Sequence, residues 1–216
     1  MFLHEFQKES SIFSQYLSEI RDINTQKDPL RFRENVRRMS TIMAYEVSKH
    51  LSYEDKNVET PLGESPSKVL AKQPVIASIL RAGIPMHLGF LEMFDHAQNA
   101  FISAYRKTHK DHSFDIMVEY LASPKLDGAD LIICDPMLAT GRSMVLCYEA
   151  LMKKGTPKQV HLVALIASEE GVDYIKQQFG QGVRLWVGAI DEELNAKAYI
   201  VPGLGDAGDL AFGVKE

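Results

Sequence analysis

Over residues 28–51, DPLRFRENVRRMSTIMAYEVSKHL, apolar side chains fall at Phe32, Val36, Met39, Met43 and Val47. Steps of three and four residues put them on one face of a helix. Asp28 offers a side-chain acceptor to the first turn, and Pro29 suits the first helical position, where its missing N–H is no loss. Helix is predicted across residues 10–51. Residues 52–73 are polar, carry Pro61, Gly63 and Pro66, and read as a connecting arm with room for a short strand.

From residue 74 the period changes. PVIASIL (74–80) is a short run, apolar but for Ser78, followed by RAG and then IPMHLGFLEMF (84–94), a helix. AFISAYR (100–106) and DIMVEYL (115–121) read as strands, the second with alternating character. ADLIICD (129–135) is a continuous apolar strand leading to the helix SMVLCYEALMKKG (143–155). QVHLVALIA (159–167), a helix over 168–179 and VRLWVGAI (183–190) complete the series. Apolar strands that alternate with helices predict a largely parallel sheet covered on both faces.

The 216 residues suit a single α/β domain, in which 1–73 is a helical extension and arm, 74–190 the sheet core, and 191–216 a further segment. A formal net charge of −5 argues against an extended nucleic-acid surface but leaves room for a local anion pocket. The opening MFLHEFQKES lacks the apolar run of an export signal, and no apolar stretch reaches membrane-spanning length. Cys134 and Cys147 make a poor disulfide framework and read as core thiols of a reducing, cytoplasmic compartment.

Chemistry is expected beyond the carboxyl ends of the strands, where open parallel sheets bind ligands. Three segments fall there. In LIICDPMLATGRSMV (131–145) a strand ends on Asp135, and a small-residue loop then feeds a helix. Such a turn presents free backbone amides and the positive end of the helix dipole to a phosphate. Thr140 and Ser143 add hydroxyls, while Asp135 suits the hydroxyls of an attached sugar or Mg²⁺ near them. Neither a P-loop nor a GxGxxG pattern is present. An ordinary βα turn with Thr140 as its N-cap would read the same way. Arg81, in SILRAGIPM, and Arg106, in SAYRKTHKDH, are placed to bind a polyanion, and the polar residues after Arg106 could close as a lid. His109 and His112 lack a third metal ligand in the pattern and read as a solvated loop. A fourth segment, YIVPGLGDAGD (199–209), sets glycines around Asp206 between apolar flanks, so its partly buried backbone needs polar partners.

Taken together, DPMLATGRS, YIVPGLGDAGD, ILRAG and YR resemble, in order, the motifs of the uracil phosphoribosyltransferase family, over about residues 28–213. The resemblance implies a type I phosphoribosyltransferase-like fold with a base-binding hood at 191–216, and transfer of the 5-phosphoribosyl group from phosphoribosyl pyrophosphate (PRPP) to uracil. It implies that Arg81 and Arg106 hold the pyrophosphate, and that Asp135, Pro136, Met137, Leu138, Ala139, Thr140, Gly141, Arg142 and Ser143 cradle the ribose and 5′-phosphate. The backbone at Ile200, Gly205 and Ala207 would read the pyrimidine, with Asp206 facing PRPP and its Mg²⁺; the metal is expected to be carried by PRPP, with no direct side-chain ligand. A homodimer or higher homo-oligomer is implied, with no nucleic-acid or membrane partner. The sequence departs from the family pattern at Arg142 and Pro85, usually glycines, and at Leu210, commonly basic. Three alternatives share parts of the pattern: a phosphoribosyltransferase for a purine or orotate, a nucleotide-sensing regulator that binds RNA, and an inactive relative that serves as a scaffold through its dimer surface.

Overall fold

A computed structural model describes the backbone of residues 1–108 and 114–215 and, outside residues 104–117, their side chains. The chain opens with a strand, β1 (Phe2–Glu5), and a helix, α1 (Ile12–Arg21), capped where Ser11 accepts the Phe13 amide at 3.2 Å. Helix was expected across residues 10–51, but it breaks at Asp22. The Asp22 carboxylate accepts the amides of Asn24 (3.0 Å) and Thr25 (2.8 Å), a local turn that replaces the helical ladder. Helix α2 (Pro29–Ser48) then restarts under the Asp28 cap, whose carboxylate accepts from Leu30 at 2.9 Å and Arg31 at 3.2 Å. Phe32, Val36, Met39, Met43 and Val47 are all buried. At roughly 1.5–3 kcal/mol for each apolar side chain buried, that stripe contributes on the order of 10 kcal/mol.

The arm holds more than a short strand. Strands β2 (Tyr53–Thr60) and β3 (Gly63–Leu70) form an antiparallel hairpin with Tyr53 opposite Leu70 and Thr60 opposite Gly63. The rest of the chain runs β4 (Val75–Leu80), α3 (Ile84–Met93), β5 (Gln98–Thr108), β6 (Phe114–Ala122), β7 (Asp130–Cys134), β8 (Met137–Leu138) and α4 (Arg142–Met152). It continues with β9 (Gln159–Ser168), α5 (Glu169–Phe179), β10 (Arg184–Asp191), β11 (Glu193–Leu194), β12 (Ile200–Val201) and α6 (Ala207–Phe212).

The main sheet has the order β1-β10-β9-β7-β4-β5-β6, with β8 also paired to β9. All neighbours in it are parallel except β5 and β6. Strand β1, which no pattern announced, is the edge beside β10, with Phe2 opposite Arg184. Alternation divides the strands between two cores. Ile76, Ile132, Val163 and Trp186 face α1, α2 and α3, where Phe13, Met39, Met86 and Phe90 meet them. Ala77, Leu131, Ile133 and Leu162 face α4 and α5, against Cys147, Leu151, Val172 and Ile175. The α2 stripe thus covers the chain's own sheet. Both cysteines are buried and free. Among the described residues no helix is long and apolar enough to cross a membrane.

At the far end of β9 and β10 the Trp186 indole N–H donates to His161 Nδ1 at 3.1 Å. Burial pushes the His161 imidazole down to about 3, with Arg184 adding to the effect. In the unfolded chain the same ring takes a proton near its ordinary value of about 6.5. Its contribution to stability is therefore complete above that pH and is lost as the pH falls toward 3. Between pH 6.5 and 5 the loss should be about 2 kcal/mol, and the variant His161→Gln should flatten this part of the profile. Urea unfolding followed by circular dichroism, wild type against variant, measures the difference; equal slopes would exclude a neutral buried His161.

Candidate active site

Because β4, β7, β9 and β10 run parallel, their carboxyl ends lie at one edge of the sheet. The loops that leave this edge enclose a cavity of about 660 Å³, lined among others by Arg81, Asp135, Thr140, Ile200 and Asp206. That volume suits a small organic substrate.

One wall is the segment between β7 and α4. Asp135 begins it, its amide donating to the Val163 carbonyl at 3.1 Å. The next residues are fixed from behind: the Pro136 carbonyl accepts from Leu165 and Ile166 (3.2 and 3.0 Å), and Ser168 Oγ donates to the Ala139 carbonyl at 2.6 Å. Gly171 allows α5 to come this close, since a Cβ there would sit 2.3 Å from the Ala139 carbonyl oxygen. The N-cap of α4 is Gly141, not Thr140. Its φ of +75° is left-handed, and no side chain caps the helix. The first amides of α4 therefore remain available beside Thr140, Gly141, Ser143 and Met144, which all line the cavity.

A second wall is the turn after β4. Gly83 lets it fold tightly against β7, because a Cβ would lie 2.6 Å from the Ile79 carbonyl oxygen and 2.8 Å from that of Cys134. The Leu80–Arg81 peptide bond is cis. Arg81 Nη2 donates to Asp209 Oδ1 at 3.2 Å and to the Gly213 carbonyl at 3.1 Å, so the guanidinium joins this turn to α6.

The third wall is the β12–α6 segment, and side chains distant in sequence hold it. Arg21 Nη1 and Nη2 donate to Asp191 Oδ2 and Oδ1 at 2.8 and 2.7 Å. Asp191 Oδ2 also accepts the Gly203 amide at 2.9 Å, while Arg21 Nη1 donates to the Gly203 carbonyl at 3.0 Å. Gly203, with φ of +55°, is thus gripped on both its polar groups. Arg33 donates to the Ala211 carbonyl at 2.7 Å, and Asp206 caps α6 by accepting the Asp209 amide at 3.0 Å. Gly205, with φ of +95°, leaves open space where a side chain would project.

Two carboxylates face this space. Burial pushes the Asp135 carboxyl up to about 7; the Met137 amide at 3.3 Å pulls the other way, and the nearby Asp206 charge adds to the rise. A cation or a set of hydroxyl donors beside Asp135 would relieve that penalty.

Of the residues singled out in the sequence, Arg81, Asp135, Met137, Leu138, Ala139, Thr140, Gly141, Ser143, Ile200, Gly205, Asp206 and Ala207 line the one cavity. Pro136 does not; it is buried behind the loop. Arg142 does not either: it is exposed at the start of α4, so a large residue at this position leaves the cradle unobstructed. Pro85 sits in the first turn of α3, where proline is favoured, and Leu210 packs against the apolar core in place of an ion pair. Arg106 lies on β5 with its side chain outside the described residues, as do His109, His112 and most of the segment expected to close as a lid. Sequence reasoning missed Arg21, Asp191 and Lys215. Asp191 carried a usable signal, an acid at the tip of an apolar strand like Asp135; Arg21 carried none.

The family model for uracil phosphoribosyltransferase matches residues 8–214. A curated uracil phosphoribosyltransferase of Porphyromonas gingivalis is 50% identical over 96% of this chain and 96% of its own length. That of Pyrococcus furiosus is 39% identical over 95% of this chain and 88% of its own. The solved structure of the AQ2163 protein of Aquifex aeolicus superposes with a TM-score of 0.87 at 29% identity, covering 99% of each chain. An orotate phosphoribosyltransferase of Mycobacterium tuberculosis, solved in complex with PRPP, shares only the fold, with a TM-score of 0.52 at 12% identity over 87% of this chain and 94% of that one. With glycine bends, an uncapped helix start and paired carboxylates around one cavity, the chain belongs to the uracil phosphoribosyltransferase family, and its reaction is the pyrimidine-salvage transfer of a 5-phosphoribosyl group from PRPP to uracil, giving UMP and pyrophosphate.

Proposed function

We propose that the cavity holds PRPP with its 5′-phosphate at the start of α4 and its pyrophosphate toward Arg81 and Arg106, and holds uracil against the β12–α6 segment. In this reading 74–190 supplies the PRPP cradle, 191–216 the base-binding hood, and 1–73 the helices that brace the hood. The observation that carries it is the meeting of both glycine-containing bends in one cavity. The base nitrogen attacks the anomeric carbon as pyrophosphate leaves, so no protein nucleophile is required. The protein's tasks are to align the reactants and to stabilise charge on the departing pyrophosphate. Thr140, Ser143 and the α4 amides bind the phosphate; Asp135 accepts the ribose hydroxyls.

Asp206 and Asp135 fit a Mg²⁺ that arrives on PRPP. They face one cavity, and the charge of one hinders ionisation of the other. No group of three ligating side chains occurs among the described residues, so PRPP and water would complete the coordination. Mg²⁺ supplies neutralisation of the pyrophosphate charge. Uracil is selected by the main chain at Ile200, Gly205 and Ala207, because a base with reversed donors and acceptors leaves buried groups unpaired. A homo-oligomer belongs to the same reading; the fully exposed Leu62 and the exposed Val58 and Tyr53 of the β2–β3 hairpin support it.

Pyrophosphate release from PRPP in the presence of each base tests the assignment. Uracil should give turnover, and cytosine a kcat/KM at least about 100-fold lower. Equal turnover of the two would overturn the role given to residues 199–209, and tight salt-sensitive RNA binding without turnover would favour a regulator.

Asp135 accepts hydroxyls best when ionised, and its carboxyl is raised to about 7. The KM for PRPP should therefore climb as the pH drops from 8 to 6, roughly tenfold for each unit below the midpoint. Asp135→Asn should have a higher KM throughout and a shallower acid limb. PRPP's own phosphates titrate in both proteins, so the informative quantity is the difference between profiles; no difference would remove Asp135 from the site.

In Arg21→Met the buried Asp191 carboxylate loses its partner, which should destabilise the fold by about 3 kcal/mol. Loss of the grip on Gly203 should raise the KM for uracil at least about tenfold while that for PRPP changes less. Thermal unfolding and the two KM values measure it, and an unchanged uracil KM would mean that the hood holds its shape without Arg21.

A further inference from the structure

We propose that Lys215 is a substrate-binding residue, a cation beside Arg81 at the pyrophosphate end of the cavity. The inference rests on the reading of this cavity as a PRPP site. Among the described residues that line it, the cationic side chains are Arg81 and Lys215, and the anionic ones Asp135 and Asp206. These described side chains are formally balanced, whereas a pyrophosphate group brings several negative charges. Of these two cations, Arg81 has its guanidinium already bonded to one carboxylate, Asp209. Lys215 adds a further cation to this end, beside Arg81.

The position of Lys215 follows from how the segment after α6 is fastened. Gly213 ends the helix with φ of +87°, a conformation that favours glycine, and its amide donates to the Asp209 carbonyl at 2.9 Å. Its carbonyl accepts from Arg81 Nη2 at 3.1 Å. Two residues of chain reach at most about 7 Å. Lys215 is consequently tethered near Arg81, whose Nη2 bonds the Gly213 carbonyl. Among the described residues the bonds of Arg81 use Nη2 only, which leaves Nε and Nη1 free to donate to a ligand while the segment stays fastened. One guanidinium can thus bind the leaving group and position a second cation for it. Lys215 is exposed and bonded to no described partner, so its replacement should leave the fold intact.

The test compares Lys215→Gln, Lys215→Glu and Lys215→Arg with the wild type. The readouts are the KM for PRPP, the KM for uracil, and inhibition by pyrophosphate and by ribose 5-phosphate. Loss of one charged contact should raise the PRPP KM and the pyrophosphate inhibition constant together, about tenfold in Lys215→Gln and about 100-fold in Lys215→Glu. Lys215→Arg should fall within about threefold of wild type, and the uracil KM and ribose 5-phosphate inhibition within about twofold, because the contact is to the pyrophosphate alone. Unchanged pyrophosphate inhibition in both Lys215→Gln and Lys215→Glu overturns the proposal, as does weakened ribose 5-phosphate inhibition, which would put the residue at the other phosphate. A wild-type protein inactive with uracil and PRPP would overturn the functional reading itself; an active wild type with unaffected variants would overturn only the role of Lys215.

Discussion

The cavity depends on the fork between Arg21 and Asp191. Four short hydrogen bonds join the end of α1, the tip of β10 and both polar groups of Gly203, a residue in a conformation that a larger side chain would strain. Arg33, Arg81 and the buried Ile200, Leu204, Ala207 and Ala211 also hold the β12–α6 segment, and this junction is what grips both polar groups of Gly203. An ion pair this enclosed gains little stability over an apolar one, since desolvation offsets most of its attraction. What it provides is position. Planar, bidentate geometry fixes an angle as well as a distance, and a site that reads a ligand with main-chain atoms has no side-chain rotamers with which to correct an error.

The opposite wall solves the same problem by different means. There the backbone is fixed from behind, by β8 on β9 and by the close approach of Gly171, while its front presents helix amides and hydroxyls. Asp135 and Asp206 add negative charge to a cavity that also presents helix amides and Arg81. The arrangement makes sense for a ligand that is phosphate at its ends and hydroxyl-bearing in the middle, often with a divalent cation attached. The two cores share the support of these walls. Leu138 and Met144 of the β7–α4 wall lie in the α4–α5 core. Ile200, Leu204, Ala207 and Ala211 of the β12–α6 wall lie in the α1–α2 core, against which Met137 and Ala139 also pack. The sheet edge is the seam along which the two meet.

The repeating parts of the fold were legible in the sequence because they repeat. The α2 stripe, the Asp28 cap and the apolar strands each follow from a local period or a single side-chain bond. The four chemical segments were legible too, as glycines, acids and arginines at strand ends. Less regular parts were not. Strand β1 is four residues long and exists by virtue of pairing with β10, a contact of very distant sequence. Asp22 breaks a helix that periodicity alone would continue. Thr140 looked like a helix cap, yet the left-handed Gly141 took that place, and this left the hydroxyl for the cavity. Arg142 looked like part of the cradle because neighbours in sequence suggest neighbours in space; the first turn of α4 points it outward instead. Arg21 had no local mark at all, since its partner lies at the end of the last long strand.

Trp186 is the only tryptophan in the chain, 1% exposed, with the rings of Phe2, His4 and His50 at 4.9, 5.3 and 5.1 Å. It does not line the cavity. Its fluorescence is therefore a built-in gauge of the opposite pole: it registers the peeling of the first strand from the sheet and stays largely indifferent to what the catalytic end holds. Emission and ligand occupancy can be followed as separate signals in one sample, so that a loosened edge and an emptied pocket need never be mistaken for each other.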